Sequence, residues 1–415
     1  MSSSVIEQIR DELVAGAERF DRRRRRVRSA TVVTALVGIV AATAVVWSAG
    51  NEGGSKVLVR PDATSTTARR PAPPLTTGPL PGLVELPPPP GANALPSSPV
   101  WTGREFLFVG TTRDEGPLVA LSFDVDTHAW REIARPPSTI GRLATTVWTG
   151  RELIVCCGAA PEGSAAAAYD PTANRWRVLP DPPVHGYTTA LWTGADVIVV
   201  APDGVASFDP ERDTWTALPT PPALASFNKS AWTGHDLVVW PAPSAREVYA
   251  GERYDPDTRT WSTLAAPTRG SWPAVPDVVV GDGSLFLLGG LPAPGSGSER
   301  FVGARFDLST GTWDALPDPL PEPHGCECNL GSQVSLWTGR DLLVFNDALA
   351  SGASTHGVLM AYDPAHNSWR RVGDTLETAL RPAAMAGDRV LLERDGSYYL
   401  SEPRWRPPAE TRRTP

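Results

Sequence analysis

The sequence predicts an all-β fold, a seven-bladed β-propeller of four-stranded blades, preceded by one transmembrane helix and a Pro-rich linker. Three observations carry that prediction. One phrase recurs: Trp101 opens WTGREFLFVG, Trp148 WTGRELIVCCG, Trp192 WTGADVIVV, Trp232 WTGHDLVVW and Trp337 WTGRDLLVF. Degenerate copies, VGDGSLFLLGG from Val280 and MAGDRVLLE from Met385, bring the number to seven. A second phrase follows each copy: an aromatic, usually Asp-Pro, then Trp seven positions after the aromatic. Its pairs are Phe123/Trp130, Tyr169/Trp176, Phe208/Trp215, Tyr254/Trp261, Phe306/Trp313, Tyr362/Trp369 and Tyr398/Trp405. The third observation is the period, which averages about 46 residues, within the range of propeller blades.

From the N-terminus, residues 1–28 form a basic tail. Ile6, Ile9, Leu13, Ala17 and Phe20 fall at helical spacing, as in a short amphipathic helix. Residues 29–50 contain a charge-free run from Ala30 to Ala49. A helix of that length spans about 30 Å, the hydrocarbon thickness of a bilayer. Arg22 to Arg26 and Arg28 precede it. Positive charge stays on the cytoplasmic side, so the N-terminus is expected inside and the rest of the chain outside. A cleaved signal peptide ending at Ser48-Ala49-Gly50 is the rival reading, but the run is longer than a usual signal segment. Residues 51–82, rich in Gly, Ser, Thr and Pro, read as an extended, disordered spacer. The repeats occupy 83–406, and 407–415 reads as a disordered tail.

Within each repeat, a β-rich run ends in Trp-Thr. Gly-X then leads into an apolar run such as ELIVCCG, the pattern of a tight hairpin. A loop leads to a third strand ending in Tyr-Asp or Phe-Asp, and Asp-Pro is turn chemistry, since the Asp side chain takes backbone amides and Pro presets φ. The fourth strand carries the second Trp and ends in Leu-Pro-x-Pro-Pro, proline that suits an outer edge. Such a unit cannot bury both faces alone, so neighbouring blades must stack. The last unit has no apolar strand after Trp405. Leu83-Val-Glu-Leu-Pro-Pro resembles the fourth-strand phrase, so residues 83–86 are expected to supply the outer strand of the last blade and close the ring.

The phrases YDPxxNxWxxLPxPP and DLLVFxGG resemble kelch repeats of the galactose-oxidase-like type. The resemblance covers residues 83–405 and implies a fold, since propellers host binding modules and enzymes alike. The Gly-Gly doublet of kelch survives only at Gly289-Gly290. The oxidases' copper site needs paired Tyr and His with a Tyr–Cys crosslink. Tyr169, Tyr254 and Tyr362 occupy repeat positions instead and read as packing, so no copper and no other cofactor is expected.

Charge and composition exclude some functions. The chain has 38 basic and 46 acidic residues, a net of −8, of which residues 1–50 contribute +3. The remainder, at −11, lacks the basic face that phosphate neutralisation requires, so nucleic acid is not an expected partner. No GxSxG, HExxH, P-loop or helix-linked GxGxxG occurs.

Repeated residues are structural by default, so recognition is sought in what does not repeat. Of 15 Trp, only Trp240 and Trp272 fall outside the repeat positions and the membrane run. Loops joining strands two to three and four to one share a face of the disc, and both Trp map there. His185, Tyr187, Phe227, Asn228 and Lys229 lie in four-to-one loops of neighbouring blades. That aromatic and polar set suits a saccharide or peptide; ordinary packing is the alternative for the two Trp. Cys156, Cys157, Cys326 and Cys328 map to the same face. Outside the cytoplasm they are disulfide candidates, with free thiols or a metal set completed by His324 as alternatives. The single-residue spacers do not match the usual zinc pattern. His128, His235 and His366 read as solvated turn residues.

The expected function is that of a membrane-anchored, extracytoplasmic binding module whose ligand is an envelope protein, peptide or glycan. Two other readings stand beside it: a carbohydrate- or peptide-active enzyme with its site at the propeller mouth, and an envelope sensor signalling through the N-terminal tail.

Overall fold

The computed structural model describes residues 76–405, apart from 78–79, 91–98, 112–117, 142–143, 158–164, 187–188, 224–226, 243–249, 268–276, 293–298, 319–328, 350–354, 373–379 and 395. The expected tail, membrane helix and most of the linker lie outside the described residues. Among the described residues no helix is long and apolar enough to cross a membrane.

Seven antiparallel sheets form a β-propeller. Blades 1 to 6 span 100–132, 145–179, 189–217, 227–264, 277–315 and 329–371, each a four-stranded meander. Blade 4 shows the pattern: Phe227–Trp232 is innermost, followed outward by Leu237–Ala242, Gly251–Asp255 and Thr260–Leu264. Blade 7 takes three strands from the C-terminal end, Arg381–Ala386, Arg389–Arg394 and Ser397–Ser401. Its fourth is Leu83–Glu85, in antiparallel register Leu83 to Ser401, Val84 to Leu400 and Glu85 to Tyr399, the closure the sequence predicts. Thr76–Thr77 adds a short fifth strand outside it.

The second strands explain the continuous apolar runs. In blade 3, Val197, Val199 and Ala201 face blade 2, while Ile198 and Val200 face blade 4. Both faces of each sheet are covered, so the period-two alternation selects a neighbouring blade and not core against solvent. The buried apolar residues fall into seven clusters, one at each seam, including one that joins blade 7 to blade 1 through Leu86, Phe106, Phe108, Tyr398 and Leu400. An open stack of seven would have only six seams. The inner strand of blade 7 also touches that of blade 1.

The repeated Trp tie the seams. The indole N–H donates to a carbonyl across the seam: Trp130 to Pro87, Trp176 to Ala134, Trp215 to Pro180, Trp261 to Pro219, Trp313 to Ala265 and Trp369 to Pro317, at 2.6–2.9 Å. The ring meanwhile packs on the aromatic of its own third strand at 4.9–5.1 Å between centroids. A large apolar surface with one polar handle suits this double role.

The seventh pair is different. Ser401, not Tyr398, occupies the third-strand position of the repeated aromatic, because Leu391 pairs with Leu400 and Leu392 with Tyr399. Tyr398 lies three residues back, its ring 5.1 Å from Phe108 across the seam with blade 1. The expected Tyr398/Trp405 equivalence is therefore a coincidence of spacing. The outer strand of blade 7 comes from elsewhere in the chain, so the turn after Ser401 need not return into the sheet. Trp405 instead donates its N–H to the Pro81 carbonyl at 2.8 Å, and the Glu402 amide donates to Gly82 at 2.8 Å. The two ends of the ring are thus bound to each other.

Candidate functional site

The two faces of the disc are built differently. On one, short turns repeat. Thr102, Thr149, Thr193, Thr233 and Thr338 each accept, at Oγ1, the amide three residues on, and Gly at the next position takes positive φ. Beside them Asp124, Asp170, Asp209, Asp255, Asp307 and Asp363 each accept two amides at Oδ1. At Asp307 the Ser309 hydroxyl also donates, and together with the two amides it holds the carboxyl down at about 2. Arg–carboxylate pairs recur beneath the turns: Arg131–Glu105, Arg177–Glu152, Arg253–Asp236 and Arg370–Asp341, at 2.5–3.2 Å. This is a structural face.

The other face carries the connections of variable length and sequence. Non-repeating polar groups stand within blade 4 and over the link from blade 2 to blade 3. Lys229, on the inner strand, pairs with Asp277 of blade 5 at 3.4 Å, and its side chain remains 44% exposed. Ser230, Val239, Glu252 and Thr263 form one cross-strand row on the side facing blade 3. Within that row the Ser230 hydroxyl and Glu252 Oε2 are buried without a hydrogen-bond partner. Burial alone pushes the Glu252 carboxyl above its ordinary value, because no cation offsets the lost hydration. Over the link from blade 2 to blade 3, exposed His185 meets Asp203: its backbone amide donates to Oδ1 at 2.8 Å and its ring Nδ1 lies 3.0 Å from Oδ2.

Glu252 is the residue that motif reading missed. The register places Leu121, Ala167, Ala206, Ala304, Met360 and Tyr399 at the equivalent point of the other blades, all buried and none acidic. Aligning the repeats two residues before the aromatic would have exposed it, except in blade 7.

The other expected residues are distributed as follows. Trp240 lies in the loop-facing half of its strand, Leu237–Ala242, but its ring turns inward. It is 3% exposed, packs in the seam with blade 5 and meets Trp313 edge-on at 6.2 Å. Gly251 makes room, since a Cβ there would strike the indole. Trp272 and Tyr187 lie outside the described residues, as do Cys326, Cys328 and His324. Phe227 and Asn228 belong to the inner strand of blade 4. Cys156 and Cys157 are fully buried thiols in the seam between blades 2 and 3. A hydrogen bond with Cys157 and burial together push the Cys156 thiol well up, so it is not an activated nucleophile.

The class that fold and site define is a seven-bladed β-propeller with one structural face and one variable face. A comparison with protein-family models finds no match, and a comparison with curated proteins finds none either.

Proposed function

We propose that this chain is a single-pass membrane protein that holds a kelch-like propeller outside the cytoplasm as a binding module for an envelope protein, peptide or glycan. In this reading the ligand meets the variable face over blade 4 and the adjoining links. The observation that carries it is the pairing of two unpartnered buried polar groups, Ser230 and Glu252, in one cross-strand row of blade 4, whereas the other two among the described residues, the Ser122 hydroxyl and Asp341 Oδ1, stand singly in blades 1 and 6. A fold rarely retains such groups for stability, since each unpaired one costs about 1–3 kcal/mol. The anchoring draws on the apolar run 30–49 and the arginines before it.

Two experiments test the reading. Protease added to intact cells should degrade the repeat region while sparing an N-terminal epitope; protection of the repeats would refute the topology. Full-length protein should capture an envelope component that is lost with His185→Ala plus Lys229→Ala and retained with Arg212→Ala on the opposite face. Equal capture by both variants would exclude the variable face.

A second reading, an enzyme acting on carbohydrate or peptide, draws on Glu252, a buried carboxyl of raised pKa and so a candidate proton donor. Turnover abolished by Glu252→Gln, with ligand capture intact, would favour it.

A further inference from the structure

The turn face of blade 4 combines residues that no other blade brings together. After WTG, blades 1, 2 and 6 carry Arg104, Arg151 and Arg340; blade 4 carries His235. Arg104 and Arg340 each reach the Asp of the following Asp-x turn, Asp124 at 3.4 Å and Asp363 at 3.9 Å. In blade 4 that Asp is Asp255, and two residues on stands Asp257, an acid as are Asp126 of blade 1 and Glu211 of blade 3, where blade 2 has Thr172 and blade 6 Ala365. Only in blade 4 does an imidazole, in place of the arginine of blades 1, 2 and 6, stand with two such carboxylates.

The geometry points to a divalent transition-metal site, zinc being the best fit, held by His235 Nε2 and one carboxylate oxygen each from Asp255 and Asp257. The three donor atoms lie within 4.8 Å of one another. His235 Nε2 is 3.3 Å from Asp257 Oδ2. Two ligands of a tetrahedral zinc, each about 2.0–2.2 Å from the ion, stand about 3.3–3.5 Å apart, so the pair already has the edge length of such a site. The opposite ring nitrogen, Nδ1, is 2.9 Å from Asp236 Oδ1. Asp236 is itself 4% exposed and clamped by the Arg253 guanidinium at 2.7 Å. A buried carboxylate that takes the Nδ1 proton fixes the tautomer that presents Nε2 as a ligand, the usual outer-shell arrangement of metal-bound histidine. Asp255 Oδ1 is occupied by backbone amides, which hold its carboxylate in place. Three protein donors leave a coordination position for water or for a donor from a partner.

Zinc chloride titrated into the metal-free full-length protein should bind one equivalent at this site, followed by calorimetry and by elemental analysis after dialysis. His235→Arg copies blades 1 and 6, and Asp257→Thr copies blade 2, so both variants should fold with unchanged melting in chelator. Each should lose that equivalent and the zinc-induced rise in melting temperature. Cobalt as a probe should show visible bands without sulfur-to-metal charge transfer, which separates this site from the cysteines. The proposal is overturned by no bound zinc, by an equivalent that survives both substitutions, or by a thiolate cobalt spectrum that survives them.

Discussion

Replacing Glu252 by Met should stabilise the protein. Blade 6 already places Met360, 3% exposed, at the equivalent point of its third strand, so the seam geometry accepts the side chain. Met and Glu are similar in volume, and a volume-conserving exchange costs under about 1.5 kcal/mol. Against that stands relief of an unpaired buried oxygen, about 1–3 kcal/mol. The net expectation is a gain of about 1–2 kcal/mol near neutral pH, a rise of a few degrees in melting temperature. The pH dependence separates this cause from better packing. Burial raises the folded-state pKa of Glu252 above its unfolded value. As pH rises past the ordinary carboxylate range, the unfolded chain releases the proton first, so wild-type stability falls until the folded group also ionises. The Met variant lacks that loss. Paired thermal melts at about pH 4 and about pH 7 should show the gap between the two proteins widening with pH. A variant less stable than wild type, or a gap constant with pH, would refute the assignment of Glu252 as a buried, uncompensated acid.

Other substitutions test the seams. Gly82 has φ +77° and a Cβ there would stand 2.7 Å from the Trp405 ring, so Gly82→Ala should cost about 2 kcal/mol. Hydrogen exchange should then quicken at 83–86 and 399–401; unchanged exchange there would mean the ring closes by other contacts. Trp176→Phe keeps the stack on Tyr169 but deletes the 2.6 Å bond to the Ala134 carbonyl, with an expected loss of about 0.5–1.5 kcal/mol in denaturant titration. Gly251→Ala should displace the Trp240 indole and lower stability, read as a red shift in tryptophan fluorescence as the ring meets water.

The architecture was legible because each blade repeats the same local chemistry. Thr-Gly makes a turn whose hydroxyl accepts the amide three residues on, and Asp makes another by accepting two amides, whatever surrounds them. The closing strand was legible too, since Leu83-Val-Glu-Leu-Pro-Pro looks like every other outer strand. The last blade resisted the spacing rule for a physical reason. Constant spacing between aromatic and Trp reflects a chain that must turn and re-enter the same sheet. Where the outer strand is supplied by the other terminus that constraint vanishes, and Tyr398 falls three residues from the position its spacing suggests.

The candidate site was less legible, and Trp240 and Glu252 show why. Rarity singled out Trp240 as a residue beyond the repeat pattern. Yet an indole beside a glycine on the neighbouring strand has a cavity to fill, and Gly251 supplies one inside the seam. Side-chain direction in a strand follows from register, and register places Trp240 beside Lys229 but leaves its ring inside. Glu252 was hidden by the opposite bias, because an acid in an acidic chain attracts no notice until strand pairing places it where the other blades bury Ala, Leu, Met or Tyr. The same comparison, made on the other face, isolates His235 from the arginines of blades 1, 2 and 6 and shows an imidazole beside paired acids, Asp255 and Asp257, in blade 4 alone. In a ring of near-identical blades, the informative unit is therefore the position compared across all seven, and blade 4 departs from the others both in a buried row and at its turn.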